Sequence, residues 1–333
     1  MALMLWYAIS PWFGGTAATA GLLAAFVDYV GRLFTPVREL SGKISILQRA
    51  ASAADKIAGL LLCDERVPFG DRPLPEAPGE VAFEGVSFAY GDGPDVLRDI
   101  TLAIRPGEVV ALVGRTGSGK TTIGKLLVRM YAGYRGTIRV DGVPLDEVDQ
   151  AALRRRIAVV QQDVVLFGGT VRGDLTLGAD ISDARLREAL DLAQASDVVE
   201  RLGGLDGRVV QGGRNLSVGE AQLLSFARVL ARDAPLVILD EATASVDSLT
   251  EARIQAATAA LFAQRTVLVV AHRLSTITHA DRIVLLDQGR ILEQGTHQAL
   301  LARGGAYAAL FEAQFTHGDA VANGASAESG RAG

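Results

Sequence analysis

The rhythm of apolar and polar positions changes sharply along the chain. From Met1 to Val27 there is no Asp, Glu, Lys or Arg, the apolarity a bilayer demands, since a charge there costs several kcal/mol. Ser10, Pro11, Gly14 and Gly15 break this run, and Trp6, Tyr7, Trp12 and Phe13 crowd the break as aromatics do at a membrane surface. The pattern predicts two segments. Residues 1–9 cover about 14 Å, roughly half of a hydrocarbon layer, and residues 16–36 are long enough to cross one. Asp28 and Arg32 fall inside the second segment and are expected to face other helices or a wet cavity. The chain therefore reads as starting partway through a membrane domain. Competing readings are a secretory signal cut near Ala18-Thr19-Ala20, which lacks a basic leader, and a buried helix of a soluble protein.

After Pro36 the stripe Val37, Leu40, Ile44, Leu47, Ala51, Ala54, Ala58, Leu61 recurs every three or four residues. It predicts a long amphipathic helix over 37–63, with Arg38, Lys43, Arg49 and Lys56 off the stripe and on the cytoplasmic side. Residues 1–63 thus form one expected unit. Pro68, Pro73, Pro75 and Pro78 mark 64–79 as an extended linker. A folded domain is expected over 80–317, and the small, polar residues 318–333 read as a disordered tail.

Within that domain, Val81, Phe83 and Phe88, and later Val109, Ala111 and Val113, sit at strand spacing. The continuous apolar run Leu236, Val237, Ile238, Leu239 suits a buried parallel strand and ends in Asp240 and Glu241. Composition narrows the field further. The 333 residues are 49% hydrophobic and 21% charged, with 33 basic against 38 acidic residues, which excludes a disordered chain and leaves no basic excess for nucleic acid. One cysteine, Cys63, and four histidines offer neither a disulfide nor zinc spacing.

The decisive motif is GRTGSGKTT, running straight out of the strand that ends at Val113. Gly114, Gly117 and Gly119 let backbone N–H groups curl around phosphate oxygens, with Arg115, Thr116, Ser118 and Thr122 completing the cradle. Lys120 supplies charge to the β and γ phosphates, and Thr121 can ligate Mg²⁺. Asp240 can hold the same Mg²⁺ while Glu241 polarises an attacking water. ATP and Mg²⁺ are the expected ligands, on an α/β fold of the P-loop NTPase type.

In its motif order, residues 1 to about 316 resemble the C-terminal portion of an ATP-binding cassette exporter half, with a helical subdomain in the nucleotide-binding domain and a last membrane helix before it. The resemblance implies that Tyr90 in VSFAY stacks on adenine and that Gln162 in VVQQDVVLF senses Mg²⁺ and the membrane domain. It implies that LSVGE, with Ser217, Gly219 and Glu220, is the signature, that Asp247 in ASVD lies on the loop crossing to the partner, and that His272 sits beside the γ phosphate. Val218 stands where the family has glycine, Glu220 where it has glutamine, and Gln211 where related exporters often carry glutamate. Ser217 and Gly219 open a helix expected over 221–232, a second anion-binding surface serving a different ATP. The implied partner is a second half, identical or not, paired head to tail at the cell membrane with the ATPase on the cytoplasmic side. The exported substrate is not readable. The other reading of these motifs is a soluble ATPase or nucleotide-sensing module without transport.

Overall fold

The computed structural model describes residues 17–63, 66–240, 248–263, 265–271 and 274–313. The expected segment 1–9, the tail 318–333 and the site residues Glu241, Asp247 and His272 lie outside the described residues. The chain divides into two compact units, Met1–Arg66 and Val67–Gly333.

Among the described residues the first unit is a single helix, α1 (Ala17–Leu62), which runs through Pro36 without ending there. An interior proline removes one backbone donor; here Thr35 Oγ1 donates to the Gly31 carbonyl at 3.0 Å just before it. The crossing helix expected over 16–36 finds no support: among the described residues no helix is long and apolar enough to span a membrane. The cause is visible in the sequence of α1. Asp28 and Arg32 pair with each other at 2.9 Å on an exposed face, and Arg38 and Glu39 follow within two turns.

The second unit is built around a six-stranded sheet ordered β12-β11-β3-β10-β9-β6. Its members are β3 (Val109–Val113), β6 (Ile157–Val160), β9 (Leu236–Asp240), β10 (Thr266–Val270), β11 (Arg282–Asp287) and β12 (Arg290–Gly295). Neighbours pair in parallel except β11 with β12. A strand buried on both faces reads as continuously apolar, and all five residues of β3 are buried. Val109, Ala111 and Val113 enter one core with the helices, whereas Val110 and Leu112 enter a second core beneath a smaller sheet.

That smaller sheet is antiparallel, ordered β2-β1-β4-β5, from β1 (Val81–Ala89), β2 (Asp95–Ile104), β4 (Arg135–Val140) and β5 (Val143–Pro144). On β1 the buried set steps from Val81 and Phe83 to Val86 and Phe88. The register slips between Phe83 and Val86, where Gly85 takes φ +60°, so a bulge keeps both halves of the strand facing inward. The segment before it is not a free tether. Gly70 N donates to Val148 O and Arg72 N to Glu147 O, while Arg129 and Arg156 donate to the Pro68 and Ala77 carbonyls.

α2 (Lys120–Leu127) and α3 (Gln150–Arg156) lie on the same face as the smaller sheet, with Ile123, Leu126, Leu127, Ala152 and Leu153 in its core, and the helical region lies on the opposite face. The helical region comprises α4 (Val171–Thr176), α5 (Asp183–Leu192), α6 (Ser196–Leu202), α7 (Val218–Arg232) and α8 (Ser248–Phe262), with the short pair β7 (Gly169–Thr170) and β8 (Arg208–Val209) at its edge. Phe226, Leu223 and Leu230 of α7 and Leu186 and Leu190 of α5 pack in the helix-side core.

Candidate functional site

The tight turn between β3 and α2 forms the phosphate loop. Gly114, Gly117 and Gly119 all have positive φ, at +150°, +83° and +105°. Each is glycine for its own reason. A Cβ on Gly114 would lie 2.2 Å from the Leu286 carbonyl oxygen, and one on Gly119 would lie 2.6 Å from Leu97 Cδ2. A Cβ on Gly117 would meet nothing within 4 Å, so its need is conformational and its outer face is open. The N-terminal turn of α2 points its unpaired N–H groups at that opening.

Lys120 is 5% exposed and curls back over the loop, its Nζ donating to Gly114 O at 2.7 Å and Arg115 O at 3.1 Å. Burial pulls its ammonium below the usual lysine range, against the nearby Asp240 carboxylate, which pulls the other way. Asp240 ends β9 and pairs in register with Val270 of β10. Ser118 Oγ is buried with no hydrogen-bond partner among the described residues. A buried hydroxyl without a partner beside a buried ammonium fits an anion entering the loop. Thr121 is exposed on the first turn of α2, where a cation bound to that anion would be reachable. Arg115 and Thr116 are exposed on the loop's rim.

Tyr90, just beyond β1, is brought to this loop. Its hydroxyl is 3.0 Å from Thr122 Oγ1, and its ring meets Phe88 and Tyr131 edge-on at centroid distances of 5.0 Å each. Tyr131 was not singled out by sequence; an aromatic soon after the phosphate-loop helix was the available signal. Tyr90 as a whole is 38% exposed, leaving room for a flat ligand to stack.

A second cluster forms around the start of α7. Ser217 is its N-cap in a complete capping box: Ser217 Oγ accepts from Glu220 N at 3.2 Å and Glu220 Oε2 accepts from Ser217 N at 2.8 Å. This box recruits Val218 into the first turn, so the helix begins three residues before the expected 221. Glu220 Oε1 also accepts from Arg201 Nη2 at 2.6 Å. Burial would raise the Glu220 carboxyl, but the Ser217 backbone N–H and Arg201 prevail and hold it below the usual carboxylate range. Its carboxylate therefore shapes the helix start, while Val218 beside it is 64% exposed. Gln162, two residues beyond β6, joins Ser217, Val218, Gly212 and Gln222 around a cleft of about 410 Å³. Gly219 is buried behind this edge, and Gln211 lies on the adjoining 3₁₀ turn. The two clusters thus gather Tyr90, Lys120, Thr122 and Asp240 on one side and Gln162 and Ser217 on the other.

A parallel-centred sheet, a glycine loop at a strand's carboxyl end and a helical region carrying a second helix start define a P-loop nucleotide-binding domain with a helical subdomain. Residues 97–244 match the ABC transporter family. The matched stretch holds the phosphate loop, Gln162, the Ser217 cap and Asp240. It is similar to an ATP-dependent lipid A-core flippase of Hahella chejuensis (strain KCTC 2396), 42% identical over 326 residues, covering 96% of this chain and 55% of that protein. A protein of the same name from Cupriavidus metallidurans (strain ATCC 43123 / DSM 2839 / NBRC 102507 / CH34) is 44% identical over 309 residues, covering 90% and 52%. The chain spans about half the length of the curated relatives it matches. Among solved structures it resembles a bacterial Atm1-family ABC exporter with ATP bound, at 35% identity and a TM-score of 0.71, covering 86% of this chain and 51% of that one.

Proposed function

We propose that this chain supplies the ATP-binding and ATP-hydrolysing part of an exporter half, and that two such cassettes close head to tail on two MgATP. The observation that carries this reading is the buried Lys120 ammonium, held over the mouth of a glycine loop within the field of Asp240. In this reading the loop from Gly114 to Thr122 grips the phosphates through its N–H groups and Ser118, and Lys120 trades its loop carbonyls for phosphate oxygens. Tyr90 stacks on the base, its hydroxyl anchored by Thr122.

Magnesium, when bound, neutralises charge on the β and γ phosphates. Thr121, Asp240 and Gln162 are the residues assigned to hold it. Glu241, next in sequence to Asp240, orients the attacking water and accepts its proton, and His272 steadies the γ phosphate. Ser217, Gly219 and Asp247 of one cassette complete the site of the other. Pairing follows from this division of labour, because the cap of α7 and the phosphate loop serve different nucleotides.

The relatives named lipid A-core flippases support an amphipathic lipid as the cargo class of the whole protein, acting at a membrane with the cassette on its cytoplasmic face. Two substitutions test the reading. Lys120→Ala should abolish Mg²⁺-dependent binding of a fluorescent ATP analogue. Glu241→Gln should leave that binding intact and shift the chain to a dimer in MgATP, seen by light scattering. Retained binding in the first variant, or a monomer in the second, overturns it.

A further inference from the structure

The two edges of the Gln162 cleft belong to parts of the chain far apart in sequence, and one buried pair joins them. Asp174 lies in α4 with its side chain 2% exposed, and Arg228 lies about three turns beyond Ser217 on α7 with its side chain 15% exposed. Arg228 Nη2 donates to Asp174 Oδ2 at 2.6 Å, and its Nε donates to the Asp174 backbone carbonyl at 3.0 Å. The same guanidinium reaches back to the segment that carries Gln162, both Nη atoms donating to Val165 O at 3.1 Å. Asp174 Oδ1 closes the circuit by accepting from Phe167 N at 2.8 Å. Only the planar fork of arginine spans three such acceptors at once.

We propose that Arg228, working through Asp174, is a positioning residue that locks the Gln162 segment to the helix beginning at Ser217, so the two edges of the cleft answer nucleotide as one body. This rests on reading Gln162 and Ser217 as nucleotide-facing groups. A buried charge pair whose hydrogen bonds are satisfied fixes one arrangement rather than a family of them.

The test is hydrogen exchange of the full chain with and without MgATP, followed in peptides covering 114–122, 161–168 and 214–222. In the unsubstituted protein all three should gain protection, the last two together and in equal proportion. Asp174→Asn keeps the acceptor for Phe167 N and the shape but removes the charge facing Arg228; Arg228→Lys removes the fork. In both, nucleotide should still protect 114–122, while the protection of 161–168 and 214–222 loses its proportionality. The double variant should lose no more than either single one, as members of one link do. Equal protection retained in folded Asp174→Asn, or peptides that respond independently in the unsubstituted protein, overturns the proposal. Failure of 114–122 to gain protection in the unsubstituted protein instead overturns the nucleotide reading beneath it. A variant that merely loosens the fold would raise exchange in all three peptides without nucleotide, and that result also counts against a positioning role.

Discussion

The phosphate loop and the helix start at Ser217 both aim backbone N–H groups outward, yet they are built by opposite means. The loop is fixed by main chain against main chain: Gly114 sits so close to the Leu286 carbonyl that no side chain fits, and Lys120 and Ser118 are buried. The helix start is held by side chains, the reciprocal bonds of Ser217 and Glu220 and the reach of Arg201, with exposed Val218 at its rim. One surface is finished within the chain. The other presents an apolar residue and a cap to the outside.

Substitution should separate the two. The largest effect belongs to Gly114→Ala, whose Cβ must displace the Leu286 carbonyl; a loss of at least about 3 kcal/mol of stability, read by chemical denaturation, is expected. Gly117→Ala meets no atom and should cost about 1–2 kcal/mol through its φ of +83° alone, so equal losses at both positions would refute the steric account. Ser217→Ala removes a cap and should cost about 1 kcal/mol in the same denaturation measurement, with binding of an ATP analogue to the isolated chain unchanged. The smallest effect is at Glu220. Glu220→Gln preserves the capping box and loses only the charge facing the half-exposed Arg201, about 0.5 kcal/mol at neutral pH. Because folding depresses this carboxyl, its contribution is present above the ordinary carboxylate value and fades as pH falls through the lower folded one. The melting difference between the two proteins should therefore vanish on acidification; a difference that grows in acid would contradict the assignment.

The loop was legible in sequence because its glycines, lysine and preceding strand are contiguous, and local spacing carries the chemistry. The double burial of β3 was half legible: alternation pointed to Val109, Ala111 and Val113, whereas Val110 and Leu112 face a second core that only the smaller sheet creates. Pro36 suggested a boundary, but the loss of one donor does not end α1, which runs on to Leu62. The uncharged run suggested a crossing, yet Asp28 and Arg32 satisfy each other on the surface of α1. The link from Arg228 to Asp174 could not be read, since it joins residues 54 positions apart through a bond that no local pattern announces. The prolines of 68–78 advertised an extended chain and concealed its docking, which depends on Arg129 and Arg156 supplied from elsewhere.

One consequence follows from the way Lys120 folds back on its own loop. Its ammonium has already shed water in favour of two peptide oxygens, so an arriving ligand encounters a dehydrated cation and must outcompete neutral dipoles. A sugar or an amide matches those dipoles at best, whereas an oxyanion surpasses them. The loop therefore discriminates by charge density.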